Sequence, residues 1–326
     1  MQIFGDSVRF GIHSGQQNTS FDQYLQLWKR AEELGFDWAS VFDHFMPIQT
    51  DPTGPCFDGL TLLSAMAAHT SRIRCGILVV GNSYRNPALL AKIATTLDHV
   101  SGGRLELGVG GGWYELEHDQ YNIPFPTIGR RIRMLSESTR ILKRLWTERV
   151  VDFHGRYYTL NHAMSEPKPL QSPHIPLWVG GAGEKLTLRV VAESADGWNT
   201  FFGPLDYYQH KLDALAEHCR DTGRNPADIR KSLSVQAVVG ETDAEVEERL
   251  AKMAATRGVD RSTLRQRGIV GTPEQCAEQL RPYLKLGVRD FIIGARVPAD
   301  MRSLELIATR VAPIVRADAK SLVATQ

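Results

Sequence analysis

The sequence predicts a (β/α)8 TIM barrel with a β-hairpin inserted between strands 4 and 5. Eight short apolar runs, most of them followed by an amphipathic segment, fit into 326 residues, and this alternation favours a closed barrel of parallel strands. Ile73 to Gly81 is apolar at nearly every position, as is typical of a parallel strand buried on both faces. Residues 150–160 interrupt the alternation with V-V-D-F-H-G-R-Y-Y-T-L, which predicts a hairpin turned at His154-Gly155. No linker rich in Pro, Gly or Ser divides the chain, so we predict a single domain over residues 1–326.

The predicted strands combine apolar residues with a polar or glycine-rich end. Arg104 to Glu117 contains the most marked example, because Leu105, Leu107 and Val109 alternate before a run of glycines. In chain order the predicted strands cover residues 10–13, 38–45, 73–81, 104–112, 175–181, 198–202, 231–239 and 291–294.

The predicted helices follow these strands and show apolar residues at helical spacing. Residues 129–146 form the longest such stripe. Pro87 and Pro273 occupy first-turn positions, where the missing N–H of proline costs nothing, and Thr272 with Gln275 completes a capping box. The other predicted helices cover residues 21–34, 60–69, 184–195, 206–222, 244–255 and 303–317.

An open, doubly wound sheet is the alternative architecture. Its dinucleotide-binding fingerprint would follow the first strand, with an acidic residue about twenty positions further on. Here Gly108-Val109-Gly110 belongs to the fourth predicted strand, and no such acidic residue closes a second strand. The pattern therefore favours the closed barrel.

Composition excludes several classes of partner. The net charge of +1 comes from 38 basic and 37 acidic side chains, so no excess charge indicates nucleic acid or an anionic membrane. The four cysteines form no C-x-x-C pair, and no histidine completes a zinc motif. The N-terminus does not resemble a signal peptide, and the apolar runs are too short to cross a bilayer. We therefore expect a cytoplasmic protein without a bound metal.

The C-terminal strand ends carry the candidate site, because ligands bind at that end of such barrels. Asp43 and His44 are adjacent at one strand end, so one can hold a ligand while the other faces the reacting centre. Gly180 to Gly183 precedes a predicted helix and offers free N–H groups to a phosphate. Other polar, glycine-rich or aromatic groups at strand ends are His13, Asn82, Gly110 to Gly112, Trp113, Tyr114, Asn199, Thr200 and Gly294.

These motifs together resemble the bacterial-luciferase-like superfamily, and within it the F420-dependent oxidoreductases. The likeness rests on Asp43-His44-Phe45, the strand from Cys75 to Asn82, the segment from Gly102 to Tyr114, the hairpin, and Gly180-Gly181. It implies a TIM barrel that binds coenzyme F420 or, as the alternative, FMN. It also implies a small-molecule substrate and a possible homodimer.

The resemblance also implies roles for individual residues. Asp43 would contact the cofactor, and His44 would face the substrate and assist proton transfer. A non-proline cis peptide near Ile77-Leu78 would form a bulge behind the cofactor ring. The further residues expected at the cofactor are Val80, Asn82, Gly111, Gly112, Gly180, Gly181 and Gly183, and those expected at the substrate are His13, Ile48 and Trp113.

Two departures from the F420-dependent glucose-6-phosphate dehydrogenases limit the comparison. Those enzymes carry a glutamate directly after the fourth-strand glycines and a tryptophan four residues past the histidine, whereas this chain has Trp113 and Ile48. Glu115 is the candidate for the missing acid. The function expected is hydride transfer between F420 and a small organic substrate; an FMN-dependent monooxygenase using O₂ and a non-catalytic ligand-binding barrel are the alternatives.

Overall fold

The computed structural model describes residues 3–48 and 50–324, and it contains a closed barrel of parallel strands. The strands are β1 (Arg9–His13), β2 (Trp38–Val41), β3 (Arg74–Gly81), β4 (Leu105–Gly110), β5 (Val151–His154), β6 (Thr159–Ala163), β7 (Leu177–Gly180), β8 (Gly197–Phe201), β9 (Arg230–Val239), β10 (Gly268–Gly271) and β11 (Val288–Gly294). Around the barrel each strand pairs with the next in the order β1-β2-β3-β4-β7-β8-β9-β11, and β11 pairs with β1. The (β/α)8 prediction is therefore confirmed.

Helices surround the barrel and connect its strands. They are α1 (Phe21–Glu33), α2 (Gly59–His69), α3 (Pro87–Ser101), α4 (Glu115–Gln120), α5 (Ile128–Thr147), α6 (Thr187–Ser194), α7 (Leu205–Thr222), α8 (Asp243–Arg257), α9 (Arg261–Arg267), α10 (Pro273–Lys285), α11 (Met301–Leu306) and α12 (Ala312–Ala324). A π-helical segment, Ile307–Val311, joins the last two, and Pro226–Asp228 forms a 3₁₀ turn. The predicted capping box of Thr272 and Gln275 opens α10.

The hairpin prediction is also confirmed, because β5 and β6 pair antiparallel between the fourth and fifth barrel strands. The carboxylate of Glu137, on α5, accepts hydrogen bonds from the N–H groups of Arg156, Tyr157 and Tyr158 in the hairpin turn. The hydroxyl of Tyr158 lies 3.4 Å from Nδ2 of Asn82 at the end of β3. The insertion is thus fastened to the barrel beside the predicted site.

Some element boundaries differ from the predictions. β2 ends at Val41 rather than at residue 45, because the N–H groups of Phe45 and Met46 bind a carboxylate on α4 instead of a neighbouring strand. α6 begins at Thr187 rather than at residue 184, after a loop in which Gly181 has a φ of +119°. The short elements α4, α9 and β10 were not predicted, because runs of four to seven residues carry too little periodicity.

An ionic layer fills the N-terminal end of the barrel. Arg9 bridges Glu106 at 2.7 Å and Asp290 at 2.5 Å, and both carboxylates are fully buried. Arg74 also pairs with Glu106, and Arg230 pairs with Asp290. Burial alone would raise the pKa of Glu106, but the charges of Arg9 and Arg74 lower it to about 2.

Two tryptophans fill the layer above. Trp38 and Trp178 stack with ring centroids 5.7 Å apart and an interplanar angle of 19°. Nε1 of Trp178 donates to Glu106 at 2.8 Å, which connects this layer to the ionic one. Leu78 and Ile292 complete the buried cluster.

The ionic layer generates a stability prediction. Glu106→Gln removes the charge that compensates Arg9 and Arg74, so the free energy of unfolding at pH 7 should fall by about 3 kcal/mol or more. The lowered pKa adds stability that is present above pH 4.5 and is lost as the pH falls towards 2. The difference in the free energy of unfolding between wild type and variant should therefore shrink over that range in urea denaturation.

Glu148→Gln, which breaks an exposed pair with Arg144, is the control and should lower the free energy of unfolding by less than about 1 kcal/mol. Equal effects of the two variants would contradict the prediction.

Candidate functional site

His13 lies at the end of β1, where its ring faces the barrel mouth. Its Nδ1 is 2.9 Å from Oγ of Ser40, and that hydroxyl donates to the carbonyl of Ile12 at 3.2 Å. Because the serine hydrogen is used there, Nδ1 of His13 donates to Ser40. Burial, followed by the charges of His44 and Arg296, lowers the pKa of His13 to about 4. His13 is therefore neutral at physiological pH and has an unprotonated Nε2.

Asp43 offers an open hydrogen-bond acceptor. Its Oδ2 accepts from the N–H of Gly81 at 3.0 Å and from Arg85 at 2.5 Å. Arg85 also bridges to Asp58, the N-cap of α2, at 3.1 Å. Oδ1 of Asp43 is buried and has no partner in the described ranges 3–48 and 50–324. Burial raises the pKa of Asp43 against the opposing charge of Arg85, so this carboxylate lacks part of its normal solvation.

Glu117 is the anchor of the loop that carries His44. Its Oε1 accepts the N–H groups of Phe45 at 2.6 Å and Met46 at 3.2 Å, and its Oε2 accepts from Nδ1 of His44 at 2.9 Å and from the hydroxyl of Tyr84 at 2.6 Å. The side chain is fully buried. Burial would raise the pKa of Glu117, but the hydrogen bonds from His44 and Tyr84 hold it below its ordinary value. The carboxylate is thus charged and satisfied by four donors.

This anchor determines which nitrogen of His44 is available for chemistry. An ionised carboxylate only accepts hydrogen bonds, so Nδ1 of His44 carries the hydrogen that Glu117 receives. Nε2 is therefore the nitrogen that can exchange a proton with a ligand, and no described residue is hydrogen-bonded to it. The rings of Phe42 and Trp113 meet the His44 ring edge-on, with centroids 5.1 and 5.5 Å away. His44 is therefore held in one tautomer and one orientation.

Trp113 and Glu115 lie at the rim of the mouth. Trp113 is 57% exposed and stacks on Tyr114 with ring centroids 5.1 Å apart. Glu115 is exposed on the first turn of α4 and does not contact His44. Glu115 and Glu117 are two residues apart on this helix and so point to different sides. Only Glu117 turns towards the barrel.

A bulge in β3 shapes the floor of the mouth. The pairing of β3 with β4 shifts register between Ile77 and Val80, and the peptide bond between Leu78 and Val79 is cis. A cis bond was predicted near Ile77-Leu78, and it lies at the next peptide bond along the chain. Ile77 and Val80 are buried in the core, whereas Val79 projects into the barrel.

Val79 explains the glycines of the neighbouring strands. A Cβ on Gly110 would come within 2.6 Å of the Val79 side chain, and a Cβ on Gly180 within 2.8 Å. The glycine run of β4 therefore makes room for this valine. Gly111 packs against Ile132 on α5, and Gly112 has a φ of +71° that favours glycine.

The loop after β7 has the features of an anion-binding site. The N–H of Gly181 binds the carbonyl of Asn199 at 3.1 Å, whereas the N–H groups of Ala182 and Gly183 have no acceptor in the described part of the chain. A Cβ on Gly183 would approach Oγ1 of Thr187 to 2.9 Å. The short helix α6 begins at Thr187, behind this loop.

The fold thus brings some candidates together and separates others. His13, Asp43, His44 and Trp113 share one side of the mouth, and the backbone of Asn82 binds Gly110 beside them at 2.9 Å. Ile48 is partly buried and is bound through its backbone by the side chain of Gln17 at 2.9 and 3.1 Å. Sequence reasoning gave no role to Glu117, although its spacing from Glu115 indicates that the two carboxylates diverge.

Comparison with known proteins identifies the family. The family model described as luciferase-like monooxygenase matches residues 4–262, most of the chain. This chain belongs to the luciferase-like monooxygenase family. The resemblance inferred from the motifs is therefore confirmed.

Named relatives in this family include F420-dependent enzymes. An F420-dependent glucose-6-phosphate dehydrogenase of Kineococcus radiotolerans is 30% identical over 245 residues, which cover 74% of this chain and 71% of that protein. The enzyme of the same name from Nakamurella multipartita is 28% identical and covers 95% of this chain and 97% of its own length.

Solved structures support the luciferase-like fold. An F420-dependent secondary alcohol dehydrogenase in complex with an F420-acetone adduct is 20% identical, with a TM-score of 0.81, covering 95% of this chain and 99% of the other. The coenzyme F420-dependent tetrahydromethanopterin reductase of Methanopyrus kandleri is 21% identical, with a TM-score of 0.78, covering 94% and 99%. In this luciferase-like chain, no helix of the described residues could span a bilayer.

The role of Glu117 as an anchor can be tested on stability. Glu117→Gln replaces an acceptor of four hydrogen bonds with an amide that also donates, so at least one buried donor loses its partner. The free energy of unfolding should fall by about 2–3 kcal/mol, as measured by urea denaturation. Glu115→Gln, on the same helix but exposed, should change it by less than about 0.5 kcal/mol. A Glu117→Gln protein as stable as the Glu115→Gln protein would refute the anchoring role.

Proposed function

We propose that this protein is an F420-dependent oxidoreductase that transfers a hydride between F420 and a small organic substrate, with His44 moving the matching proton. The observation that carries the proposal is the juxtaposition of two open groups at the barrel mouth. Within the described part of the chain, Nε2 of His44, on a ring oriented by Glu117, has no hydrogen-bond partner, and Oδ1 of the preceding Asp43 is a buried acceptor without a donor. The F420-dependent relatives at 28% and 30% identity support the choice of cofactor.

The residues at the mouth fit a flavin-like group. Oδ1 of Asp43 can accept a hydrogen bond from a ring N–H, which would supply the donor that this buried atom lacks. The bulge of Ile77, Leu78 and Val80 would support the ring from behind. The open N–H groups in the loop from Gly180 to Gly183 can hold a phosphate. When bound, F420 supplies a carbon that accepts or donates the hydride.

The protein residues would then orient the substrate and move a proton. Glu117 holds His44 so that Nε2 faces the mouth, where it accepts a proton from an alcohol or returns one to a carbonyl. His13, which stays neutral at pH 7, would line the substrate side. Trp113 and Ile48 would border the same space, and Trp113 would shield His44 from water. Backbone at Gly111 and Gly112 and the side chain of Asn82 would complete the cofactor rim.

An acid at Glu115 would act only after a change in its position. Glu115 is the first residue of α4, and its exposed side chain has no contact with His44. In our proposal Glu117 replaces it as the carboxylate that matters, acting through His44 as a positioning residue.

Binding of both cofactors tests the proposal directly. We expect purified protein to bind F420 with micromolar or tighter affinity and to bind FMN much more weakly, as followed by absorbance and fluorescence titration. Tight binding of FMN with oxygen uptake would instead support the monooxygenase alternative. Affinity for neither cofactor would favour a ligand-binding barrel without catalysis.

Asp43→Asn tests the cofactor contact in the same titration. Arg85 and the N–H of Gly81 require an oxygen at their position, so the amide NH₂ would occupy the open Oδ1 position and oppose a ring N–H. Affinity for F420 should fall roughly tenfold or more. Asp58→Asn removes the other carboxylate bound to Arg85 and should change the affinity by less than about threefold.

His44→Asn tests the proton transfer. On any primary or secondary alcohol that supports reduction of F420 in a screen, kcat should fall by roughly 10²–10⁴-fold because the general base is lost. The dissociation constant for F420 should be nearly unchanged. His162→Asn, at an exposed histidine on the hairpin, is the matched control. An unchanged kcat in His44→Asn would exclude the proposed role.

A further inference from the structure

Arg257 reaches the barrel mouth on the side formed by β9, β11 and β1. It is the last residue of α8, and its Nη1 donates to the side-chain oxygen of Gln236 on β9. The side-chain amide of Gln236 lies against Gly294. A Cβ added to Gly294 would come within 2.7 Å of Nε2 of Gln236. Gly294 ends β11 and is in register with His13. The guanidinium of Arg257 is therefore attached to the same rim as His13.

Arg296 lies on this rim as well. It follows Gly294 by two residues, and the intervening N–H of Ala295 donates to the carbonyl of His13 at 2.9 Å. The charge of Arg296 contributes to lowering the pKa values of both His13 and Arg257, after the effect of burial. The backbone of Gly294 to Arg296 therefore runs beside His13, on the same side of the mouth as Gln236 and its partner Arg257.

Neither arginine has a compensating carboxylate. Both side chains are partly buried, and neither forms an ion pair with an Asp or Glu in the described residues. At the other end of the barrel, by contrast, Arg9 and Arg230 are neutralised by buried carboxylates. Partly buried, uncompensated positive charges cost free energy, and an anion between them would offset that cost.

We propose that Arg257 and Arg296 bind an anionic group of the substrate, a carboxylate or a phosphate monoester. The proposal rests on the proposed function, because it places the reactive carbon of that substrate beside His13 and His44. Guanidinium groups suit both anions, since their parallel N–H donors match two oxygens at once. This anion site differs from the loop from Gly180 to Gly183, because that loop follows β7, which lies opposite β1 in the ring of eight strands.

Titration calorimetry with two simple anions tests the site. Sodium phosphate and sodium acetate are titrated separately into the full-length protein at low ionic strength. We expect at least one of them to bind wild type and to bind Arg257→Gln and Arg296→Gln roughly tenfold or more weakly. Stronger binding of phosphate would assign a phosphate monoester, and stronger binding of acetate would assign a carboxylate.

Arg261→Gln is the matched control, because it makes the same change in net charge at an exposed residue that pairs with Glu247 at 3.7 Å. It should keep the wild-type affinity within about twofold. Arg296→Lys retains the charge and should recover part of the affinity, which separates charge loss from a folding defect. Equal anion affinities in wild type, Arg257→Gln and Arg296→Gln would overturn the proposal, since any binding would then occur elsewhere.

An F420 titration of the same proteins separates this proposal from the proposed function. Arg257→Gln and Arg296→Gln should bind F420 like wild type, because Asp43 and the loop after β7 are unchanged. Failure of wild type to bind F420 would refute the proposed function. The anion site is overturned only if wild type, Arg257→Gln and Arg296→Gln show the same affinity for phosphate and for acetate.

Discussion

The stacked pair of Trp38 and Trp178 inside the barrel imposes the constraint on which most of the structure depends. Two indole rings can occupy the centre of an eight-stranded barrel only if neighbouring strands provide space. A Cβ on Gly11 would come within 2.2 Å of Trp38, and a Cβ on Gly197 within 2.3 Å of Trp178. These glycines are therefore required by packing. Val79 likewise occupies space that is free because Gly110 and Gly180, nearer the mouth, have no side chain.

The layers of the barrel interior also separate the paired charges at the N-terminal end from the polar groups at the mouth. Arginines and carboxylates at the N-terminal end neutralise each other beneath the tryptophans. At the C-terminal end the charges are not balanced among the described residues, because Oδ1 of Asp43 has no donor there and neither Arg257 nor Arg296 pairs with a carboxylate. The apolar layer between the two ends prevents the groups of the ionic layer from satisfying those at the mouth. Open polar groups therefore collect where a ligand can reach them.

The short helix α4 converts this scaffold into a candidate active site. Glu117 gathers the loop after β2 and the loop after β3 onto α4, because it binds His44 and Tyr84 with one oxygen and two backbone N–H groups with the other. His118 strengthens the arrangement, since its Nε2 lies 2.7 Å from Oγ of Ser83. The histidine at the mouth is thus oriented by a buried carboxylate on a neighbouring helix. This arrangement differs from the one expected of a glutamate directly after the β4 glycines, where this luciferase-like chain has Trp113.

The alternation of strands and helices, the hairpin and the position of Asp43-His44 could be predicted from the sequence, because they depend on local periodicity and on neighbouring residues. The sequence also led to the family through motifs such as Gly180-Gly181. The sequence did not predict that Glu117 rather than Glu115 contacts His44, or that the glycines of β4 make room for Val79, because both depend on contacts between distant segments. The same holds for Arg257 and Arg296, which are 39 positions apart in the sequence. Such pairings arise when strands distant in the chain close into a ring, so no local pattern of residues can specify them.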